Sequence, residues 1–132
     1  MTEQKEPSGA VEIIPGLDLS SFPDTIDSKY THVLNMCMTP NNMASHPPEI
    51  LRIPLLDWDD ITLHIPKILE FIDTALQDPQ NRILVHCALG VNRSASAVTT
   101  YLCHRTGTNS STALEYIKTK NPEAQPSPIF LQ

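Results

Sequence analysis

The chain has 132 residues, of which 40% are hydrophobic, and a formal net charge of −6. This length suits one domain with a single core. Such an acidic chain lacks the basic face that nucleic acid or anionic lipid requires, no apolar run approaches a membrane span, and the three scattered cysteines form neither a disulfide framework nor a zinc-site spacing. We therefore expect no nucleic-acid, membrane, metal or cofactor binding. The expected location is the cytoplasm, with the nucleus as a second location.

The first half of the chain predicts four short strands. Residues 1–10 are polar and predict a disordered tail before a single domain over residues 11–132. VEIIPGLDLS predicts two strands joined by a Pro-Gly turn. The apolar runs HVLNMC and ILRIP predict two more strands, and the Pro- and Asn-rich segment between them predicts a surface loop.

The second half alternates helix and strand. Apolar residues recur at helical spacing over residues 65–76, until Asp78 and Pro79 end the pattern. RILVHC is continuously apolar, as a central strand buried on both faces would be. A helix is predicted from about Arg93 to Arg105, closed by Gly107, and another over 110–120 with a Ser or Thr cap. This alternation predicts an α/β fold, a central mostly parallel sheet flanked by helices.

Cys87 stands where the predicted central strand runs into a loop and a helix. In open α/β sheets, ligands bind at this junction. Backbone N–H groups of residues 88–93 would curl into a cradle for a phosphate-sized anion, because Gly90 permits a tight turn. The helix dipole and Arg93 favour the thiolate form of Cys87, and Arg93 can hold two phosphate oxygens at once. The alternative is a buried structural cysteine, which the flanking residues disfavour.

At these positions the chain resembles the dual-specificity phosphatases of the cysteine-based protein tyrosine phosphatase superfamily. Their signature His-Cys-x-x-Gly-x-x-Arg-Ser matches five residues here: His86, Cys87, Gly90, Arg93 and Ser94. The resemblance continues along the chain through VEIIPGLDLS, HVLNM, IP-x-x-D and EFID. Leu89 and Asn92 stand where the family most often has Ala and Ser, and this departure affects substrate preference.

The resemblance implies a phosphoprotein substrate and a role for each loop residue. Cys87 would attack phosphorus to form a phosphocysteine, and Ser94 would donate a hydrogen bond to the sulfur as it leaves. His86 would hold the loop and help to stabilise the thiolate. The expected phosphate-binding residues are Ala88, Leu89, Gly90, Val91, Asn92 and Arg93.

An aspartic acid must protonate the leaving group, and the sequence LLDWDD offers three. Asp57 occupies the family's position, four residues after Ile53. Asp59 and Asp60 are the alternatives, and each could instead stabilise the start of the next helix. Trp58 could line the rim of the pocket or pack against the domain.

Cys37 ends the HVLNMC run and is a candidate redox partner of Cys87. If the two strands are parallel neighbours, both cysteines emerge at the same edge of the sheet. A thiolate oxidised to sulfenic acid could then be captured as a disulfide. The alternative is a small core residue. Cys103, on the following helix, is expected to be buried and uninvolved.

Two other functions remain as alternatives. A phosphoprotein-binding adaptor or pseudophosphatase would typically have lost the cysteine or the acid, both of which are present. A phosphoinositide phosphatase would typically carry lysines in the cysteine loop, and ALGVN has none.

Overall fold

A computed structural model describes residues 10–42, 47–56, 59–88, 93–122 and 124. The expected N-terminal tail lies outside these residues. Five strands and three α-helices follow one another in the described chain, with a short 3₁₀ turn at Thr62–His64 before the first helix. They are β1 (Val11–Ile14), β2 (Leu17–Ser20), β3 (His32–Asn35), β4 (Glu49–Arg52), α1 (Ile65–Leu76), β5 (Ile83–His86), α2 (Arg93–Thr106) and α3 (Ser110–Lys120).

The five strands form one sheet in the order β1-β2-β5-β3-β4. Only β1 and β2 pair antiparallel, through a tight turn at Gly16, whose φ of 86° suits a residue without a side chain. All other pairs are parallel, and β5 lies between β2 and β3. The mostly parallel α/β sheet and the central position of RILVHC are therefore confirmed.

The helices pack on one face of this sheet. α1 begins with a proline in its first turn and buries Ile68, Ile72 and Ala75, which lie on one stripe of the helix. These residues join α2, α3 and the inward side chains of the strands in the main core. A smaller cluster on the other face contains Ile26, Tyr30, Val33 and Leu84, so the segment after β2 covers that face.

The helix ends follow the local sequence with one difference. Gly107, with φ of 74°, ends α2, and its N–H donates to the carbonyl of Cys103 at 2.9 Å. The cap of α3 is Asn109, whose side chain accepts from Thr112 N at 2.8 Å, rather than the predicted Ser or Thr. An Asn side chain reaches the same backbone donor, and here it lies one residue before the helix. Within the described residues, no helix combines the length and apolar character needed to cross a membrane.

Candidate active site

Cys87 lies immediately after β5 and is 1% exposed. Its Sγ is 3.2 Å from Oγ of Ser94, the second residue of α2, which is itself fully buried. The chain leaves the central strand and returns as a helix within a few residues, and this path brings the hydroxyl to the sulfur. The arrangement predicted for Cys87 and Ser94 is therefore present, with a hydroxyl placed to donate to a thiolate.

Arg93 is the first residue of α2 and is 6% exposed. Its Nη1 donates to the carbonyl oxygen of Met36 at 3.2 Å and to that of Leu55. These carbonyls lie just after β3 and β4, so two neighbouring strand ends position the guanidinium. These partners could not be predicted from the sequence, because a backbone carbonyl can belong to any residue type.

A cavity of about 310 Å³ opens at this edge of the sheet. Ala88 and Arg93 line it together with the thiol-bearing Cys37. Apolar side chains of Phe22, Met38 and Leu56 also line it. Met38 is 58% exposed and Leu56 37%, so both form an apolar rim. A cationic guanidinium inside an apolar rim suits a phosphate carried on an apolar group.

His86, the last residue of β5, is fully buried. Its Nε2 lies 2.9 Å from Nδ2 of Asn41, and the Phe22 ring meets it edge to face at 5.3 Å between centroids. Burial lowers the pKa of His86 from its ordinary 6.5 to about 4, against a smaller opposing effect of the Cys87 backbone. His86 is therefore neutral at pH 7, and its expected help in stabilising the thiolate remains a prediction. Its expected role in holding the loop remains a prediction.

The three candidate acids fall into two groups. Asp57, with Trp58, lies outside the described residues. Asp59 Oδ2 accepts from Leu56 N at 2.8 Å, and Asp60 Oδ1 accepts from Thr62 N at 2.9 Å and from its hydroxyl at 2.5 Å.

These contacts are structural for Asp59 and Asp60. The hydrogen bonds from Thr62 lower the pKa of Asp60, which opposes the protonated state that a general acid needs. Both carboxylates stabilise the turn before α1, as the alternative interpretation anticipated. The assignment of the general acid to Asp57 stays a prediction.

Part of the predicted phosphate loop can be located. Ala88 is exposed, and its carbonyl accepts from Phe22 N at 3.2 Å, which ties the start of the loop to the segment after β2. Leu89, Gly90, Val91 and Asn92 lie outside the described residues, so their assignment stays a prediction.

The two other cysteines differ from each other in their surroundings. Cys37 is 4% exposed and belongs to the same core cluster as Cys87. β3 and β5 are parallel neighbours, as expected, with Asn35 opposite His86. Continued by one residue, this register places Met36 opposite Cys87 and Cys37 one step further. Cys103 is partly exposed rather than buried, because it sits on the edge of the core at the last turns of α2.

The comparisons with known proteins point in one direction. The family model "Dual specificity phosphatase, catalytic domain" matches residues 19–132. Human dual specificity protein phosphatase 15 is 33% identical over 128 residues, which cover 91% of this chain and 43% of that protein. Drosophila melanogaster dual specificity protein phosphatase Mpk3 is 33% identical over 133 residues, which cover 92% of this chain and 32% of the relative. The chain thus spans less than half the length of these two curated relatives.

Solved structures give the same result. The crystal structure of DUSP15 superimposes with a TM-score of 0.83 and 31% identity, covering 92% of this chain and 81% of the other. The human tyrosine phosphatase-like serine/threonine/tyrosine-interacting protein gives a TM-score of 0.82 and 25% identity, with 92% and 90% covered. Family model, relatives and fold agree with the Cys87, Arg93 and Ser94 geometry: the chain belongs to the dual specificity phosphatase catalytic-domain family.

Proposed function

We propose that this chain is a cysteine-dependent protein phosphatase that hydrolyses phosphotyrosine and also phosphoserine or phosphothreonine. The observation that carries the proposal is the 3.2 Å contact between Cys87 Sγ and Ser94 Oγ at the start of α2, beside the cavity that Arg93 lines. A nucleophile, a hydroxyl for the leaving sulfur and a cation for phosphate oxygens are thus close together. The family supports a phosphoprotein as the substrate.

The proposed reaction has two steps. In the first, the Cys87 thiolate attacks phosphorus while Asp57 protonates the departing phenol or alcohol, which leaves a phosphocysteine. In the second, Asp57 takes a proton from water, which attacks phosphorus and expels the sulfur as thiolate. Ser94 would stabilise that leaving thiolate, and Arg93 with the loop amides would stabilise the equatorial phosphate oxygens.

Phosphotyrosine is the favoured substrate of the two types. Phenolate is a better leaving group than an alkoxide, and the aromatic ring would contact the apolar rim of Phe22, Met38 and Leu56. We propose that the shorter phosphoserine also reaches the same sulfur. We also propose the cytoplasm as the site of action.

A turnover assay with a fluorogenic aryl phosphate tests this proposal. Cys87→Ser should lower kcat by at least about 10⁴-fold, since loss of the nucleophile abolishes the covalent step. Vanadate should inhibit the wild type, and full activity should survive EDTA. Cys103→Ser is the matched control and should keep wild-type activity. Normal turnover by Cys87→Ser, or metal-dependent recovery after EDTA, would contradict the proposal.

A phosphoprotein-binding adaptor is the second candidate. One observation favours it, namely the 25% identity to the structure of a phosphatase-like protein whose name describes it as an interacting protein. In that case the wild type would bind a phosphotyrosine peptide without releasing phosphate. Phosphate release in the assay above decides between the two candidates.

A further inference from the structure

A chain of polar side chains links the ends of β3 and β5 behind the candidate nucleophile. We propose that Asn35 and Asn41 are positioning residues that hold His86 as the neutral tautomer protonated on Nδ1, with Nε2 as an acceptor. This inference rests on the proposed function only for its effect on catalysis. The tautomer itself follows from the hydrogen bonds.

Asn35 determines which atom donates in each of these hydrogen bonds, because two of its partners are backbone groups that can act only as donor or only as acceptor. Cys37 N can only donate, and it lies 2.7 Å from Asn35 Oδ1. The carbonyl of Thr39 can only accept, and it lies 3.0 Å from Asn35 Nδ2. The positions of Oδ1 and Nδ2 in the Asn35 amide are therefore both determined by these partners. The side chain is 0% exposed, so solvent does not replace either partner.

The orientation of Asn41 follows from that of Asn35. The second hydrogen of Asn35 Nδ2 points to Asn41, so the facing atom, at 2.9 Å, must be the acceptor Oδ1. Asn41 Nδ2 then faces His86 Nε2 at 2.9 Å and donates to it. An Nε2–H tautomer would bring two donors together at that distance inside the protein, with a desolvation penalty of about 1–3 kcal/mol.

The surroundings of the ring keep it neutral. Ser20 lies opposite His86 on the β2 side, Phe22 covers the ring edge, and Cys87 is the adjacent titratable group in the chain. In the described part of the chain, no charged side chain contributes to the pKa of His86, which burial sets. Nδ1 is also buried and has no described hydrogen-bond partner, but the Cys87 backbone beside the ring favours protonation.

The arrangement has a consequence for the nucleophile. A ring held from its Nε2 side and covered by Phe22 supports the backbone from which the Cys87 side chain projects. The contribution of His86 is then one of orientation. The charge balance at the sulfur is left to Arg93, Ser94 and the helix N-terminus.

Long-range ¹H–¹⁵N NMR of the imidazole rings in the intact chain tests the tautomer directly. We expect His86 in the wild type to be neutral and protonated on Nδ1 at pH 7. A ring protonated on Nε2, or an imidazolium, would overturn the inference whatever the activity of the protein. His86→Gln assigns the signal.

Two variants test the coupling to catalysis. Asn41→Asp places a carboxylate opposite Nε2. Nε2 must then carry a proton to donate to that carboxylate, so the pKa of His86 should rise by at least about one unit. In this variant an imidazolium forms below about pH 5, where the wild-type ring is still largely neutral, and this charge should favour the thiolate and shift the acidic limb of kcat/KM to lower pH. Asn41→Leu keeps the size but removes the donor, and should give mixed tautomers with a fall in kcat of about fivefold to tenfold.

Asn42→Asp is the matched control, since Asn42 donates to the carbonyl of Asp24 instead of to His86. It adds the same charge one residue away and should leave the tautomer and the pH profile unchanged. An equal shift in both aspartate variants would mean a general field effect and would refute the positioning role. Normal phosphatase turnover with a wrong tautomer would refute this inference alone, whereas the expected tautomer without turnover would refute only the proposed function.

Discussion

β5 begins and ends in a polar network, and the two networks are built differently. Before its amino end, Arg82 bonds Asp18 at 2.8 and 3.3 Å and pairs with Glu12 at 3.2 Å, while the Tyr30 hydroxyl donates to Asp18 at 2.6 Å. At its carboxyl end, the supporting side chains are Asn35, Asn41 and the neutral His86. The first network is ionic, and the second carries no charge.

This difference separates stability from reactivity. The buried charge of Asp18 is balanced by the partly exposed Arg82. Burial together with the Asp18 hydrogen bond raises the pKa of Tyr30, which keeps the phenol a donor. The supporting side chains at the carboxyl end are neutral. The electrostatic field at Cys87 is therefore set by the groups that would contact the phosphate. The first two predictions below test whether changes at the carboxyl end affect rate and changes at the amino end affect folding, and the other two test the pH response and the oxidation of the carboxyl end.

The largest expected effect is on rate, at the carboxyl edge. Asp57→Ala should lower kcat by about 10²-fold for substrates with poor leaving groups, a typical contribution of a general acid, without weakening phosphate binding. Steady-state kinetics with alkyl and aryl phosphates measure it. Asp59→Ala and Asp60→Ala are controls with small effects on kcat, since both carboxylates accept backbone hydrogen bonds near α1. A larger effect of either control would identify it as the acid.

At the amino end, the expected effect is on folding. Asp18→Asn removes the negative charge of a side chain that is 3% exposed, and Arg82 loses this ion-pair partner. The free energy of unfolding should therefore fall by about 2–3 kcal/mol. Urea denaturation measures the change. Activity below the unfolding transition should stay within about twofold of the wild type. Asp27→Asn, at an exposed turn, is the control. A loss of kcat in a folded Asp18→Asn would break the proposed separation.

The buried neutral His86 predicts a dependence of stability on pH. Its folded pKa of about 4 lies below the 6.5 of the unfolded chain, so the unfolded state binds more protons between these values. The stability is fully present above pH 6.5 and decreases as the pH falls towards 4, by about 2 kcal/mol between pH 7 and 5. Urea titrations should show this loss in the wild type and in the exposed-site control His104→Gln. His86→Gln should lack it.

The smallest expected effect concerns recovery from oxidation. Peroxide would convert the Cys87 thiolate to sulfenic acid, and the Cys37 thiol would displace hydroxide from that sulfur to give a disulfide. If the ideal strand spacing and rise per residue continued past the end of β3, the Cα atoms of Cys37 and Cys87 would lie about 5.8 Å apart, within the usual disulfide range. Reductant should restore the wild type but not Cys37→Ser. Peptide maps without a link between Cys37 and Cys87 would reject the pairing.

Much of the fold was predictable, because it depends on short-range patterns. Strands were predicted from apolar runs, and the helix over 65–76 from the spacing of its apolar residues. Each pattern shows which side of one continuous segment is buried. Cys87, Arg93, Ser94 and His86 lie within nine residues, so their spacing alone brought them to one loop. The central position of β5 also followed, since a continuously apolar run indicates a strand buried on both faces.

The supporting residues were not predictable in the same way. Asn35 and Asn41 reach His86 across about fifty residues of chain, and Asn is an ordinary residue in any loop. A polar residue at the end of an apolar strand was the one available signal for Asn35. The charge state of His86 depends on complete burial, which only the packing of Phe22 and the loop after β3 determines.

The bonds of Arg93 to the carbonyls of Met36 and Leu55 divide its guanidinium between two tasks. Both hydrogens of Nη1 are committed to the backbone. A two-point grip on a phosphate must therefore use the edge formed by Nε and Nη2, which fixes the plane in which two oxygens are held. The same side chain bonds to the chain just after β3 and just after β4, so the sheet sets the orientation of the guanidinium edge that would bind phosphate. A lysine has one nitrogen for both tasks, and it would keep the charge while losing that direction.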